Sequence, residues 1–368
     1  MKSPRLITAA ALSAVLAFGV AACGDDSSST SSTSSGGGDS SVATGLSGEV
    51  AGAGSSAQEA AQEAWIVGVQ DGSPDATISY DPIGSGGGRE QFIAGAVDYA
   101  GSDSALEGSE LKGAISNCGD ADLVQVPVYI SPIAVVYNLP DVTDLQLDPE
   151  TLANIMNQKI TTWNDPAIAA LNPDATLPDT AITPVNRSDD SGTTANFTDY
   201  LSQTAGSAWP YPADDTWPVK GGEAAEGTSG VIDAVKNGDG AIGYADESQA
   251  GDLGIAKIKI GDEYVAPSAD GAAADLDISK FENPEQYVFD FAINRTTDDP
   301  STYPITLASY AIACTSSDDQ AITDIVAALF QYAVSAEGQD AAASNAGSAP
   351  ITDQLRTKIQ PAVDAIGG

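Results

Sequence analysis

In the stretch Pro184 to Tyr200, P-V-N-R-S-D-D-S-G-T-T-A-N-F-T-D-Y, one arginine stands a few residues ahead of a Ser-Gly-Thr turn that opens a helical pattern. The guanidinium of Arg187 offers a planar fork of donors. The hydroxyls and backbone N–H groups of Ser191, Gly192 and Thr193 gather where a helix macrodipole is positive. Residues of these types at this spacing grip an oxyanion. A surface ion pair with Asp189 or Asp190 is the alternative for Arg187, although a pairing with Asp189 is compatible with a bound anion.

Two earlier segments repeat the arrangement of a small polar turn before a helix. Gly52-Ala53-Gly54-Ser55-Ser56 leads into a helix whose Ala57, Ala60, Ala61, Ala64 and Trp65 share one face, and Ile83-Gly84-Ser85-Gly86-Gly87-Gly88 leads into Arg89–Ala94. Each alone reads equally well as an ordinary helix cap. Three helix N-termini together, each worth on the order of 0.3–2 kcal/mol toward an anion, suit a small dianion lodged between two lobes. Ser85 offers both a hydroxyl and an N–H, and the glycines after it let the backbone approach closely.

The 368 residues carry 14 Lys+Arg against 52 Asp+Glu, a formal charge of −38, and no histidine. So acidic a chain lacks the basic patch that draws in a phosphate polymer, so nucleic acid is not expected as a partner. The acidity itself reads as solubility or adaptation to salt. With a Debye length of roughly 8 Å, distant carboxylates do not forbid an anion in a closed cleft. The lack of histidine removes the Ser-His-Asp triad and His-ligated metal, and no metal or cofactor is expected.

The elements that must position these turns alternate short apolar runs with helical patterns, as in an α/β protein. Candidate strands are Leu46–Ala51, Thr77–Asp81, Leu123–Val128, Ile133–Asn138, Ala241–Tyr244 and Thr306–Ala313. The clearest helix carries Ile322, Ile325, Val326, Leu329, Phe330 and Ala333 at helical spacing. At the N-terminus, Lys2 and Arg5 precede an apolar run from Leu6 to Val20, a targeting segment expected to be removed. Val20-Ala21-Ala22-Cys23 resembles a bacterial lipobox, which implies lipidation of Cys23. The Ser/Thr/Gly/Asp stretch from Gly24 to Ser41 is a linker of ~23 Å reach. Cys118 and Cys314 are the thiols that remain. They read as one disulfide in an oxidising location or as isolated buried cysteines, with no catalytic or metal role.

In this order, the motifs resemble the extracytoplasmic phosphate-binding proteins of Pst-type ABC importers along nearly the whole mature chain. G-A-G-S-S (52–56) and I-G-S-G-G-G (83–88) resemble the family's first two phosphate loops. D-Y-A-G-S-D (98–103) resembles the segment ending in its key aspartate, and R-S-D-D-S-G-T (187–193) its arginine loop. K-I-T-T-W-N-D-P-A-I (159–168) resembles a marker outside the binding site and G-A-I-G-Y (240–244) another. The resemblance implies ligand contact by Ser56, Ser85, Asp103, Arg187, Ser191, Gly192 and Thr193. The first loop departs from the family in having Ser56-Ala57 where Thr-Phe is usual; the N–H of Ala57 is expected to donate in place of the lost wall.

An aspartate in an anion site repels its ligand unless that ligand carries a proton the carboxylate accepts. Hydrogen phosphate and dihydrogen phosphate do; sulfate does not. The resemblance implies a two-lobed, type II periplasmic-binding-protein-like fold with hinge crossovers near Tyr129–Pro132 and Tyr303–Ile305. The expected parts are a signal peptide at 1–22, a lipidated cysteine and linker at 23–45, one lobe of 46–130 plus 306–368, and a second of 131–305. The expected function is phosphate capture by a monomer, lipid-anchored outside the cell membrane, and delivery to an ABC permease. A receptor for another tetrahedral oxyanion and a secreted phosphatase are the alternatives.

Overall fold

The structure, a computed structural model, describes residues 43–368. The expected signal peptide, Cys23 and nearly all of the expected linker lie outside the described residues. The chain opens with β1 (Ser47–Gly54), α1 (Glu59–Gly72), β2 (Asp75–Asp81), α2 (Ser85–Ile93), β3 (Tyr99–Ser102) and α3 (Gly108–Cys118). It continues through β4 (Leu123–Tyr137), β5 (Gln146–Leu147), α4 (Pro149–Met156), α5 (Pro166–Leu171), β6 (Thr183–Arg187), α6 (Gly192–Thr204), β7 (Glu223–Ala225), α7 (Gly227–Asn237) and β8 (Ala241–Asp246). Short strands β9 (Gly254–Ile255), β10 (Lys257–Ile260) and β11 (Glu263–Val265), helix α8 (Ala269–Asp277) and the hairpin β12 (Lys280–Glu285) and β13 (Val288–Ala292) follow. The chain returns through β14 (Thr306–Cys314) and ends in α9 (Gln320–Val334), α10 (Ala336–Ala346) and α11 (Asp353–Asp364).

Eight strands form the path β2-β1-β3-β14-β4-β8-β6-β7. On one side β1 pairs in parallel with β2 and β3, and on the other β6 pairs in parallel with β7 and β8. Parallel neighbours need a crossover helix, so within each group the strands that lead into helices set those helix N-termini along one edge of the group, and the two groups run in opposite directions.

The two groups are joined by β4, buried along all of its 15 residues. The sequence suggests two strands here, Leu123–Val128 and Ile133–Asn138, divided by a crossover. One strand runs through instead and changes partner, antiparallel to β14 as far as Pro132 and to β8 from Ile133 onward. Proline cannot donate to a ladder. Pro127 is tolerated at a register shift opposite Ser309 and Tyr310, and Pro132 sits where the partner changes. The segment Tyr303–Ile305 runs alongside: Ile133 N donates to Ile305 O at 2.7 Å, and the Tyr303 hydroxyl to Ile133 O at 3.0 Å.

The core follows the apolar spacing. Helix α1 buries Ala61, Gln62, Trp65 and Val69, while Ala60 and Ala64 are only half-buried. The Trp65 indole donates to Gly338 O at 2.9 Å, which satisfies its polar end at the core. Helix α9 buries Ile325, Val326, Leu329, Phe330 and Ala333. Cys118 and Cys314 are bonded, tying the end of α3 to the end of β14. The two marker segments also meet: Trp163 is fully buried and its indole N–H donates to Gly240 O at 3.0 Å. Among the described residues no helix is long and apolar enough to cross a membrane.

Candidate functional site

The three turns singled out in the sequence converge: the turns after β1 and β2 meet the turn after β6, which comes from the group of strands running the opposite way. Gly84 N donates to Gly54 O at 2.9 Å, and Gly86 N to Asp190 O at 2.9 Å. These approaches leave no room for side chains. Gly84 has φ +93°, and a Cβ there would lie 2.3 Å from Asp189 Oδ2; one on Gly192 would lie 2.8 Å from both Ser85 Oγ and Asp103 Cβ.

Arg187 is buried at the end of β6, not exposed on the surface. Its Nε donates to Asp189 Oδ1 at 2.8 Å and its Nη2 to Asp189 Oδ2. Among the described residues Nη1 has no hydrogen-bond partner. Burial pushes the Asp189 carboxyl up, but the hydrogen bond and charge of Arg187, with the Gly227 N–H, outweigh it and hold that carboxyl below its usual range. Asp189 therefore stays ionised and keeps the guanidinium plane in place. The Arg187 N–H donates to the Tyr244 hydroxyl at 3.3 Å, and Tyr244 stacks on Phe197 with ring centroids 4.4 Å apart.

The hydroxyls can be accounted for one by one. Ser85 Oγ accepts from Asp103 N at 3.1 Å and Ser191 Oγ from Thr194 N at 3.2 Å, so each keeps its own proton for another acceptor. The first four N–H groups of a helix lack intrahelical partners. In α6 the N–H of Thr194 goes to Ser191 Oγ and that of Ala195 to Ser191 O. Those of Gly192 and Thr193 have no partner among the described residues. This is a set of donors around a buried cation.

Asp103, just beyond β3, is 3% exposed. Its Oδ2 accepts from Thr193 Oγ1 at 3.1 Å and its Oδ1 from Ser309 Oγ at 2.6 Å. Asn196 Nδ2 donates to the Asp103 carbonyl at 2.7 Å.

The first loop departs from expectation. The Ala57 N–H is not left open: it donates to Ser55 Oγ at 3.1 Å, as does the N–H of Gln58 at 3.3 Å. Ser55 is the local cap, because its side chain closes the turn ahead of α1 while that of Ser56 points elsewhere. Ser56 Oγ accepts from Thr228 N at 3.0 Å and lies 3.0 Å from Thr228 Oγ1.

That contact brings in a fourth helix N-terminus, of α7, which the sequence reasoning missed. Its signal was available: Gly227-Thr228-Ser229 precedes Val231, Ile232 and Val235, the same turn-then-helix pattern as the others. Ser309 carried no local signal, lying 206 positions from Asp103.

A two-lobed α/β binding protein is the class that this fold and site define. A PBP superfamily domain matches residues 27–337. The chain is 36% identical over 372 residues to the phosphate-binding protein PstS 3 of Mycobacterium tuberculosis, covering 100% of both. It is 32% identical over 290 residues to the phosphate-binding protein PstS of Pasteurella multocida, covering 77% of this chain and 80% of that one. Among solved structures it resembles the periplasmic phosphate-binding protein PfluDING bound with phosphate, at a TM-score of 0.70 and 22% identity over 85% of this chain and 93% of that one. It also resembles a phosphate-binding protein from Stenotrophomonas maltophilia, at a TM-score of 0.65 and 19% identity over 85% and 93% of the two chains. The chain belongs to the PBP superfamily and, within it, to the PstS phosphate-binding proteins.

Proposed function

We propose that this chain binds inorganic phosphate outside the cytoplasmic membrane and delivers it to the permease of an ABC importer, without catalysing a reaction. The observation that carries this is the incomplete use of Arg187, a buried guanidinium with one edge clamped by Asp189 and Nη1 unpartnered, among N–H groups that also lack protein partners. Its relatives named for phosphate binding favour that anion over others of the same shape.

In this reading Ser56, Ser85, Arg187, Ser191, Gly192 and Thr193 donate to the phosphate oxygens. Asp103 accepts the ligand's own proton. Sulfate, with no proton to give, would leave acceptor against acceptor, at a cost of about 1–3 kcal/mol or more in a desolvated site. Ala57 contributes a small buried wall and not a free N–H.

The change of partners in β4 supports lobes of about 46–130 with 306–368 and of about 131–305, hinged beside Pro132 and Tyr303–Ile305, with phosphate favouring the closed arrangement. Cys23 would carry the lipid that tethers a monomer to the membrane.

Titration calorimetry with phosphate and sulfate, alongside an assay for hydrolysis of phosphate esters, tests the proposal. Stoichiometric phosphate binding with no turnover and no sulfate heat is expected; ester turnover, or equal affinity for both anions, would overturn it.

A further inference from the structure

We propose that Ser309 and Gln58 are positioning residues that set anion selectivity by holding Asp103 as an acceptor only; this rests on the phosphate reading above. Both are fully buried. Gln58 Nε2 faces Ser309 Oγ at 2.9 Å and Tyr310 O at 3.4 Å. A carbonyl oxygen only accepts, so the amide must present nitrogen to it, and Gln62 Nε2 donating to Gln58 Oε1 at 2.6 Å fixes the same orientation from the other end.

Ser309 Oγ therefore accepts from Gln58. Its single proton is left for Asp103 Oδ1, 2.6 Å away. Thr193 Oγ1 donates to the other oxygen. With a hydroxyl proton directed into each carboxylate oxygen, Asp103 has lone pairs to offer a ligand and no proton.

The backbone sets up this geometry. The register shift opposite Pro127 falls between Ser309 and Tyr310, one step past the end of the β14 pairing with β3. Carried one step past the Tyr310 and Ser102 pair, the antiparallel register of β14 and β3 sets Ser309 opposite Asp103.

Removing the donor should loosen the proton check. In Ser309→Ala, Asp103 Oδ1 loses the donor that fixes it, so the carboxylate is free to turn away from the ligand and no longer meets it as an oriented acceptor. Gln58→Met frees the Ser309 hydroxyl to point its proton elsewhere and should act in the same direction, more weakly.

The test is titration calorimetry of the full chain and both variants with inorganic phosphate and inorganic sulfate, with circular dichroism to confirm folding. Ser309→Ala is expected to lose about tenfold in phosphate affinity with no matching loss for sulfate, so that the preference for phosphate narrows about tenfold. Unchanged selectivity in folded variants overturns the inference, as does a proportional loss for both anions, which a merely structural role would give. If Ser309→Ala fails to fold, Gln58→Met decides alone. If the unmodified chain binds no phosphate, the phosphate reading falls and this inference with it.

Discussion

Two buried arginines flank helix-opening turns, Arg89 in the first turns of α2 and Arg187 at the end of β6 ahead of α6, and they are used in opposite ways. The Nε of Arg89 donates to Glu110 at 2.8 Å, its Nη2 to Asp215 at 2.6 Å, and its Nη1 to Ser102 and Ser104 at 3.0 and 2.8 Å. Every nitrogen is satisfied by protein. Arg187 spends Nε and Nη2 on the single carboxylate of Asp189 and nothing on the other edge. Burial and charge do not distinguish the two, since both residues have them. What distinguishes Arg187 is a guanidinium fixed on one edge and, among the described residues, open on the other; under the proposed function an anion would meet an oriented donor there.

Arg295 extends the contrast. It bonds Asp199, the carbonyls of Pro304 and Thr306, and Asn196. None of these bonds reaches Asp275, which is buried with neither carboxylate oxygen partnered among the described residues.

The sharpest test of the comparison is Arg89→Met. It should lower unfolding free energy by about 3 kcal/mol, near the low end for breaking a buried pair because Glu110 and Asp215 are partly exposed. Urea unfolding measures it. A loss within ~0.5 kcal/mol would mean the saturated arginine is no clamp.

Arg187→Met should do the reverse, weakening phosphate binding by about 100-fold while disturbing stability less than the Arg89 change. Calorimetry checks this, and unchanged affinity would break the comparison outright. Asp103→Asn should narrow the preference for phosphate over sulfate by about tenfold, because an amide donates to either ion. Equal sulfate exclusion in competition titrations would count against Asp103 as the proton acceptor.

The smallest effect concerns Asp275, whose carboxyl burial pushes up to about 7 against the pull of Arg295. The folded state then binds a proton more tightly than the unfolded one, so this group's contribution to stability falls as pH rises from about 4 to about 7 and levels off above. Asp275→Asn should shrink that fall by about 1–2 kcal/mol. Urea melts at about pH 4.5 and about pH 8 decide it, and identical pH slopes would show that Asp275 does not titrate in this window.

Much of the candidate site was legible because it is local. A Gly/Ser turn ahead of a helix is a short-range pattern, and each such turn carries its donors with it. The same logic would have found Gly227 and Thr228, which show the pattern without a nearby charge to draw attention. Two features misled the reading of β4 and of the first loop. The sequence suggests two strands either side of a crossover at Tyr129–Pro132, yet one strand runs through, and a register shift and a change of partner accommodate Pro127 and Pro132 within it. The two serines at 55 and 56 are chemically alike, and only the turn's backbone decides that Ser55 caps while Ser56 reaches Thr228.

Residue order settled which chemistry was available: one arginine beside a Ser-Gly-Thr turn, hydroxyls and N–H groups at helix starts, an aspartate near them, and no histidine. Those properties follow from side-chain type and near neighbours, which the linear chain states directly. Which donors are left over was decided by the folded molecule. The open edge of Arg187, the closed circle around Arg89 and the proton sent from Ser309 to Asp103 all depend on partners far apart in the chain, and a hydrogen-bond count is complete only when every partner is in place.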